Sequence, residues 1–402
     1  YALADSGAPT EDVPVPREYW PSDEWRTSTP TEQGVDTTKL DEMMRYIETN
    51  ALRIDSILIV RNGYLVFEEY PSSLYSPGDY HIIHSCTKSF TSALVGIAIQ
   101  NGYIGDVSDR MIDYFSNRTI ANLDNRKQNI TIEHLLTMTS GLEWDEWTVP
   151  YGRSGNDATD MFSSDSSTQY VLDLPMAYEP GESWTYNSGG SHLLGAIVAD
   201  TAGQTLSAFA FEHLLGPLGI SEANVLWPHD QEGYDYGSGG VYMRPLDMAK
   251  FGYLYLNNGS WDGQQIVPSE WVTKSAGTEV YFNEYSGYSY QWWTYPTDIA
   301  NVYTAIGFAG QFIFVVPSLD MVVVFTSNTP PYQVSPQPSM LFQYIIPAIL
   351  DKTSSFIPNV DYFTLSVLLV LPLPLLVAGV YSNMKLKQWP MTSESSNRRY
   401  KK

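Results

Sequence analysis

His84-Ser85-Cys86-Thr87-Lys88-Ser89-Phe90 opens the apolar run from Phe90 to Ile99, and the rest of the chain is read outward from it. The apolar spacing predicts a helix, with Ser85 in its first turn and Lys88 three residues on over the same face. A hydroxyl and an amine are then within reach of one another. Serine alone is a weak nucleophile, and a lysine serves as its base only where burial or neighbouring cations lower its pKa. Taken alone, the spacing also fits an N-cap serine beside a surface lysine. Cys86 opens a thiol-nucleophile reading against that of a small packed hydrophobe. His84 opens a Ser-His reading, although consecutive residues diverge on a helix.

Upstream, Thr37 to Asn50 has helical spacing, and two β-branched and aromatic runs between Ile54 and Tyr70 flank Asn62-Gly63, a strong hairpin signal. The segment to about Pro30, rich in Pro, Asp and Glu, reads as an extended arm. Downstream, Asp106 to Phe115, Ile132 to Leu142, Leu193 to Thr201, Leu206 to Leu215 and Pro245 to Leu256 are expected helices, with a further short one at Trp271. Residues 143 to 180 show little periodicity and read as a functional insertion. Tyr288 to Trp293 is strand-like. Gln311 to Val316 and Met321 to Ser327 form a second hairpin around Pro317-Ser318-Leu319-Asp320, before a last short helix from Phe342 to Leu350. Strands at both ends with helices between them predict an α+β body whose antiparallel sheet joins early and late segments.

The 402 residues are globular in composition, with 29 Tyr and 11 Trp, and one cysteine excludes an intrachain disulfide. Up to Tyr381 the chain holds 16 basic and 44 acidic residues, a charge of −28, which argues against a nucleic-acid partner. Tyr362 to Tyr381 is 20 residues without a charge, about 30 Å as a helix, and reads as a single membrane span. Six basic residues follow it, so the positive-inside rule puts the tail 382–402 in the cytoplasm and the body outside. Ala2-Leu3-Ala4 has the form of a signal-peptidase site and agrees with export. Three Asn-x-Ser/Thr sequons, at Asn117, Asn129 and Asn258, are acceptors in an exported glycoprotein. The expected organisation is an arm (1–30), a main domain (31–352), a linker (353–361), the span (362–381) and the tail.

Three separated pieces resemble one family, the serine β-lactamase and penicillin-binding-protein-like hydrolases. Ser85-Cys86-Thr87-Lys88 resembles their first motif, Tyr186-Asn187-Ser188 their second, and Gly307-Phe308-Ala309-Gly310-Gln311 before a strand their third. The likeness spans about residues 31 to 350 and is nearest to the esterase and 6-aminohexanoate-oligomer hydrolase branch. It implies a β-lactamase/transpeptidase-like fold with a helical subdomain, no cofactor and no metal. Ser85 would be the nucleophile, Lys88 its base and Tyr186 a phenolate or proton relay. The backbone N–H groups of Ser85 and Gln311 would form the oxyanion hole, and Ser188, Phe308, Gly310 and Trp144 would meet the substrate. Trp147, Tyr151 and Tyr170 are further candidates for the cleft wall.

Two departures shape the expected chemistry. Phe308-Ala309-Gly310 stands where relatives have Lys-Thr-Gly or His-x-Gly, and a phenyl ring cannot pair with the carboxylate of a β-lactam or a peptidoglycan stem. Ser188 stands where many relatives have Asn. The resemblance so qualified implies a small-molecule ester or linear amide as substrate, with β-lactam or D-Ala-type peptide hydrolysis and a catalytically silent binding ectodomain as the alternatives.

Overall fold

The computed structural model describes residues 17–297, 300–330 and 335–349. Residues 1–16 of the expected arm, the linker, the expected span and the basic tail lie outside the described residues. No single helix among the described residues is long and apolar enough to cross a membrane.

Eight antiparallel strands make one sheet: β1 (Ile54–Arg61), β2 (Tyr64–Glu69), β3 (Val280–Asn283), β4 (Ser286–Ser289), β5 (Trp292–Pro296), β6 (Asn301–Gly307), β7 (Gln311–Val316) and β8 (Met321–Ser327). Their spatial order is β2-β1-β8-β7-β6-β5-β4-β3, so the early hairpin adds to the edge of the late strands, as the sequence predicts. The turn between β1 and β2 has Asn62 at φ 52° and Gly63 at φ 84°, the paired positive values that a two-residue hairpin of right-handed twist requires.

The longer helices are α1 (Thr37–Thr49), α2 (Thr87–Gln100), α3 (Ser188–Ala202) and α4 (Pro245–Leu256). Alternate residues of the central strands feed two cores. Ile57, Ile59, Phe314, Val323 and Phe325 pack with α1 and the C-terminal helical segment from Gln337 to Ile349. Leu58, Val60, Ile313, Val315, Val322 and Val324 face α4 and the helical body. At Gly252 on α4 a Cβ would lie 2.6 Å from Val322, so the helix sits directly on the sheet. Burial on both faces is why these strands read as continuous apolar runs rather than as alternation. This is an α+β fold with a helical subdomain built around α2 and α3.

Several expected elements are shorter or divided. The helix from Ile132 ends at Leu136: Met138 takes φ 61° and Gly141 φ 76°, which turns the chain so that Leu142 bridges Met176. Between Asp106 and Phe115 only the 3-10 turn Met111–Phe115 forms. The Tyr288–Trp293 segment is two strands, β4 and β5, reversing at Gln291 with φ 66°. That glutamine earns its place: its amide donates to the Leu135 and Leu136 carbonyls at 2.9 and 3.0 Å, while its carbonyl oxygens receive Ser89 and Ser191 from α2 and α3. The turn of the sheet is thereby tied to three helices. Strands β3 and β6 join the sheet beyond those expected.

Candidate active site

The Ser85 segment is held from both sides. His81–Ile82 pairs antiparallel with Tyr242–Met243, and the Ile83 N–H donates to Val241 at 2.8 Å. On the other side Gly307, at the end of β6, lies so close that a Cβ would be 2.2 Å from the Ile83 carbonyl. His84 has φ 46°, an uncommon conformation for a residue with a Cβ, and the 3-10 turn His84–Cys86 then runs into α2. Ser85 thus stands one turn ahead of the regular helix.

Lys88, near the start of α2, is only 2% exposed. Its Nζ lies 3.0 Å from Ser85 Oγ, 3.0 Å from Ser188 Oγ and 2.7 Å from the Ser238 carbonyl. Burial lowers its pKa to about 8, against the opposing pull of the Glu146 charge. A useful share of neutral amine therefore exists at neutral pH, which the surface-lysine reading would not give. Ser238 is supplied by a close backbone crossing, because at Gly237 a Cβ would be 2.5 Å from the Ser191 carbonyl and 3.2 Å from the Gly195 Cα on α3.

Tyr186 is buried, with the Ser85 hydroxyl near enough to act on its phenol and its ring 4.9 Å from Lys88 Nζ. Burial first, and the Glu146 charge second, raise its pKa far above the ordinary tyrosine value. The resting group is a phenol, which favours the relay over the phenolate expectation. Asn187 caps α3 by accepting from the Gly190 N–H at 2.9 Å, and this cap fixes Tyr186 and Ser188 on either side of it.

Sequence reasoning missed Glu146, which is 1% exposed and lies directly behind Ser188. One carboxylate oxygen accepts from Ser188 Oγ at 3.0 Å and Tyr151 Oη at 2.8 Å. The other accepts from the Ser188 N–H at 2.9 Å and Trp144 Nε1 at 2.7 Å. Local turn chemistry aims it inward. Asp145 accepts from the Trp147 and Thr148 N–H groups, and Asn156 donates to the Glu146 and Val149 carbonyls while capping the helix Asp157–Ser163. The signal was present as an acid between two tryptophans in an aperiodic stretch, but nothing in the sequence says which of its several carboxylates turns inward.

The remaining expected residues divide. Phe308 is 38% exposed at the rim, edge-on to His84 and Tyr151 at centroid distances of 5.6 and 5.4 Å. Ser188, expected at the substrate, instead bridges Lys88 and Glu146. Trp144, expected there too, is buried behind the site with its indole N–H on Glu146 and its ring over Gly189. Gly310, at φ 93°, faces Gln337 and Ser327, where a Cβ would be 2.4 and 2.7 Å from side-chain atoms; its role is a close backbone approach. Gln311 is buried, and its carbonyl receives the Cys86 thiol at 3.6 Å, which puts the start of β7 beside the Ser85 turn. Cys86 is itself fully buried, and that burial raises its thiol pKa, so it packs as a small hydrophobe. Burial likewise pushes His84 down to about 3, so it is neutral.

Beside Tyr186 stand Trp147 at 5.2 Å, Trp293 at 5.9 Å and Trp184 at 6.3 Å between ring centroids, with Phe282 against Trp184 at 4.6 Å. All four of these neighbours are partly exposed. A groove of about 880 Å³ lies elsewhere, between α1 and the Pro71–Leu74 loop, and holds none of these residues. Among the described residues no three His, Cys, Asp or Glu side chains converge as metal ligands.

A family model described as Beta-lactamase matches residues 43–338. The chain belongs to the Beta-lactamase family. It is by that membership a serine hydrolase. The 6-aminohexanoate-dimer hydrolase of Paenarthrobacter ureafaciens is 25% identical over 315 residues, which cover 73% of this chain and 76% of that protein. The octameric penicillin-binding protein homologue of Pyrococcus abyssi superposes with a TM-score of 0.59 at 20% identity, covering 76% of each chain. A family VIII carboxylesterase superposes with a TM-score of 0.61 at 14% identity, covering 77% of this chain and 97% of its own. At such identities the two structures speak for the fold alone.

Proposed function

We propose that the chain cleaves small esters or linear amides through an acyl-enzyme on Ser85. The observation that carries this reading is the 3.0 Å contact between Ser85 Oγ and a buried amine whose pKa falls to about 8. Neutral Lys88 takes the Ser85 proton as Oγ attacks the substrate carbonyl, and the backbone N–H groups of Ser85 and Gln311 meet the developing oxyanion. Tyr186 then gives its phenolic proton to the leaving group and recovers one from Lys88. Water enters by the reverse relay, cleaves the ester to Ser85 and leaves the free acid.

The substrate class follows from what stands around Ser85. Phe308 occupies the rim where a cation would greet a carboxylate, and the aromatic wall of Trp147, Trp184, Phe282 and Trp293 favours an apolar group beside Tyr186. The named relative is a hydrolase of a 6-aminohexanoate dimer, a linear amide, which supports this class over β-lactams. A fluorophosphonate probe should label the wild type and not Ser85→Ala. Equal failure of both would favour a silent binding domain on the same fold. We also propose that residues 362–381 anchor the enzyme, with the body outside the cell and the tail in the cytoplasm, on the strength of the uncharged run and the basic residues that follow it.

A further inference from the structure

Glu146 touches neither Ser85 nor, by its position, a substrate, yet the hydrogen-bond directions around Lys88 depend on it. A neutral amine has two N–H bonds and one lone pair. The Ser238 carbonyl is an acceptor only, so it takes one N–H at 2.7 Å. Ser188 Oγ could donate or accept, but its single proton is committed to Glu146 at 3.0 Å, so towards Lys88 it accepts the second N–H. The lone pair is then left for the third neighbour, Ser85 Oγ at 3.0 Å, which is the arrangement a base needs. Four donors converge on the two carboxylate oxygens, two of them N–H groups that cannot reverse, Ser188 N and Trp144 Nε1.

We propose that Glu146 is a positioning residue, which acts through Ser188 to fix the hydrogen-bond polarity of the site so that Lys88 turns its lone pair to Ser85. The inference rests on the serine-hydrolase reading above. Glu146→Gln tests it by near-isosteric reversal. The two N–H donors hold the amide oxygen at one position, so the NH₂ falls opposite Ser188 Oγ and Tyr151 Oη and donates to them. The Ser188 proton is released towards Lys88, where it competes for the lone pair.

The experiment is the rate of fluorophosphonate labelling of the full-length chain against pH, for the wild type, Glu146→Gln, Ser188→Ala and the double variant. Glu146→Gln should slow the high-pH plateau by at least about tenfold. Its acid limb should move to lower pH, because loss of the neighbouring negative charge favours the neutral amine. Adding Ser188→Ala should restore part of the lost rate by removing the competing donor. A merely structural role would lower the labelled fraction without moving the limb, and would not be relieved by a second substitution. An unchanged profile in Glu146→Gln, or a slower one with an unmoved limb and no relief, overturns the proposal. Should Glu146→Gln not fold, Ser188→Ala carries the test: loss of an acceptor for the ammonium must move the limb to lower pH, and an unmoved limb overturns the idea. A wild type that never labels refutes the hydrolase reading itself and the proposal with it, an outcome distinct from any difference between variants.

Discussion

Lys88 is where stability and chemistry pull against each other. Its folded pKa of about 8 lies below the ordinary lysine value of 10.5, so between these limits the unfolded chain binds more protons than the folded one. Stability from this group therefore rises as pH climbs from about 8 to 10.5. Below pH 8 the amine is charged in both states, and burial of the charge opposes folding. The unfolding free energy of the wild type should gain on that of Lys88→Met across this window, and parallel curves by denaturant titration would remove the pKa assignment. Catalysis follows the same direction: labelling should rise with pH through about 8 as the base is freed. Lys88→Ala should abolish labelling while Cys86→Ala keeps it, since the thiol faces the Gln311 carbonyl from a sealed position. The opposite pattern would establish a thiol nucleophile.

The loop from Glu143 to Asn156 shows how a segment without periodicity still acquires one conformation. Asn156 holds it with two donated hydrogen bonds and one helix cap. Asn156→Ala removes the cap and strands two carbonyls, and should cost ~1–3 kcal/mol, measurable as a lowered denaturant midpoint. Because Glu146 would lose its aim, labelling should slow more than the folded fraction falls; a loss in strict proportion to folded protein would separate the loop from the chemistry. The crossing of α3 by Gly237 gives a second lever on Lys88. Gly237→Ala forces a Cβ towards the Ser191 carbonyl, an overpacking that typically costs ~1–3 kcal/mol. The Ser238 carbonyl moves with it, so labelling should weaken at every pH, which a library of probe concentrations would read as a loss in maximal rate.

Among the described residues, a sheet packed on both faces gathers the candidate groups where the Ser85 turn, α3 and the end of β6 meet. Nitrocefin should be turned over poorly compared with short acyl esters, because Phe308 offers a carboxylate nothing to pair with; efficient nitrocefin hydrolysis would place the protein with the β-lactamases in activity as well as in family. Protease added to intact cells should release an active body by cutting between 351 and 359, and protection of the body until the membrane is opened would invert the orientation. The sequence by itself determined the hairpins, the helix after Ser85, the order of the three motifs and the α+β class, because periodicity, turn residues and a short i, i+3 spacing are local properties. It also determined which side chain at the rim is apolar. Only the tertiary structure decided that Lys88 is buried, that the thiol is sealed, that Ser188 bridges Lys88 and Glu146, and that Glu146 faces inward. The deciding contacts of Lys88 with Ser238, Ser188 with Glu146 and Cys86 with Gln311 span 150, 42 and 225 positions of chain, and burial and hydrogen-bond direction are set by which neighbours arrive, not by the residue or its spacing.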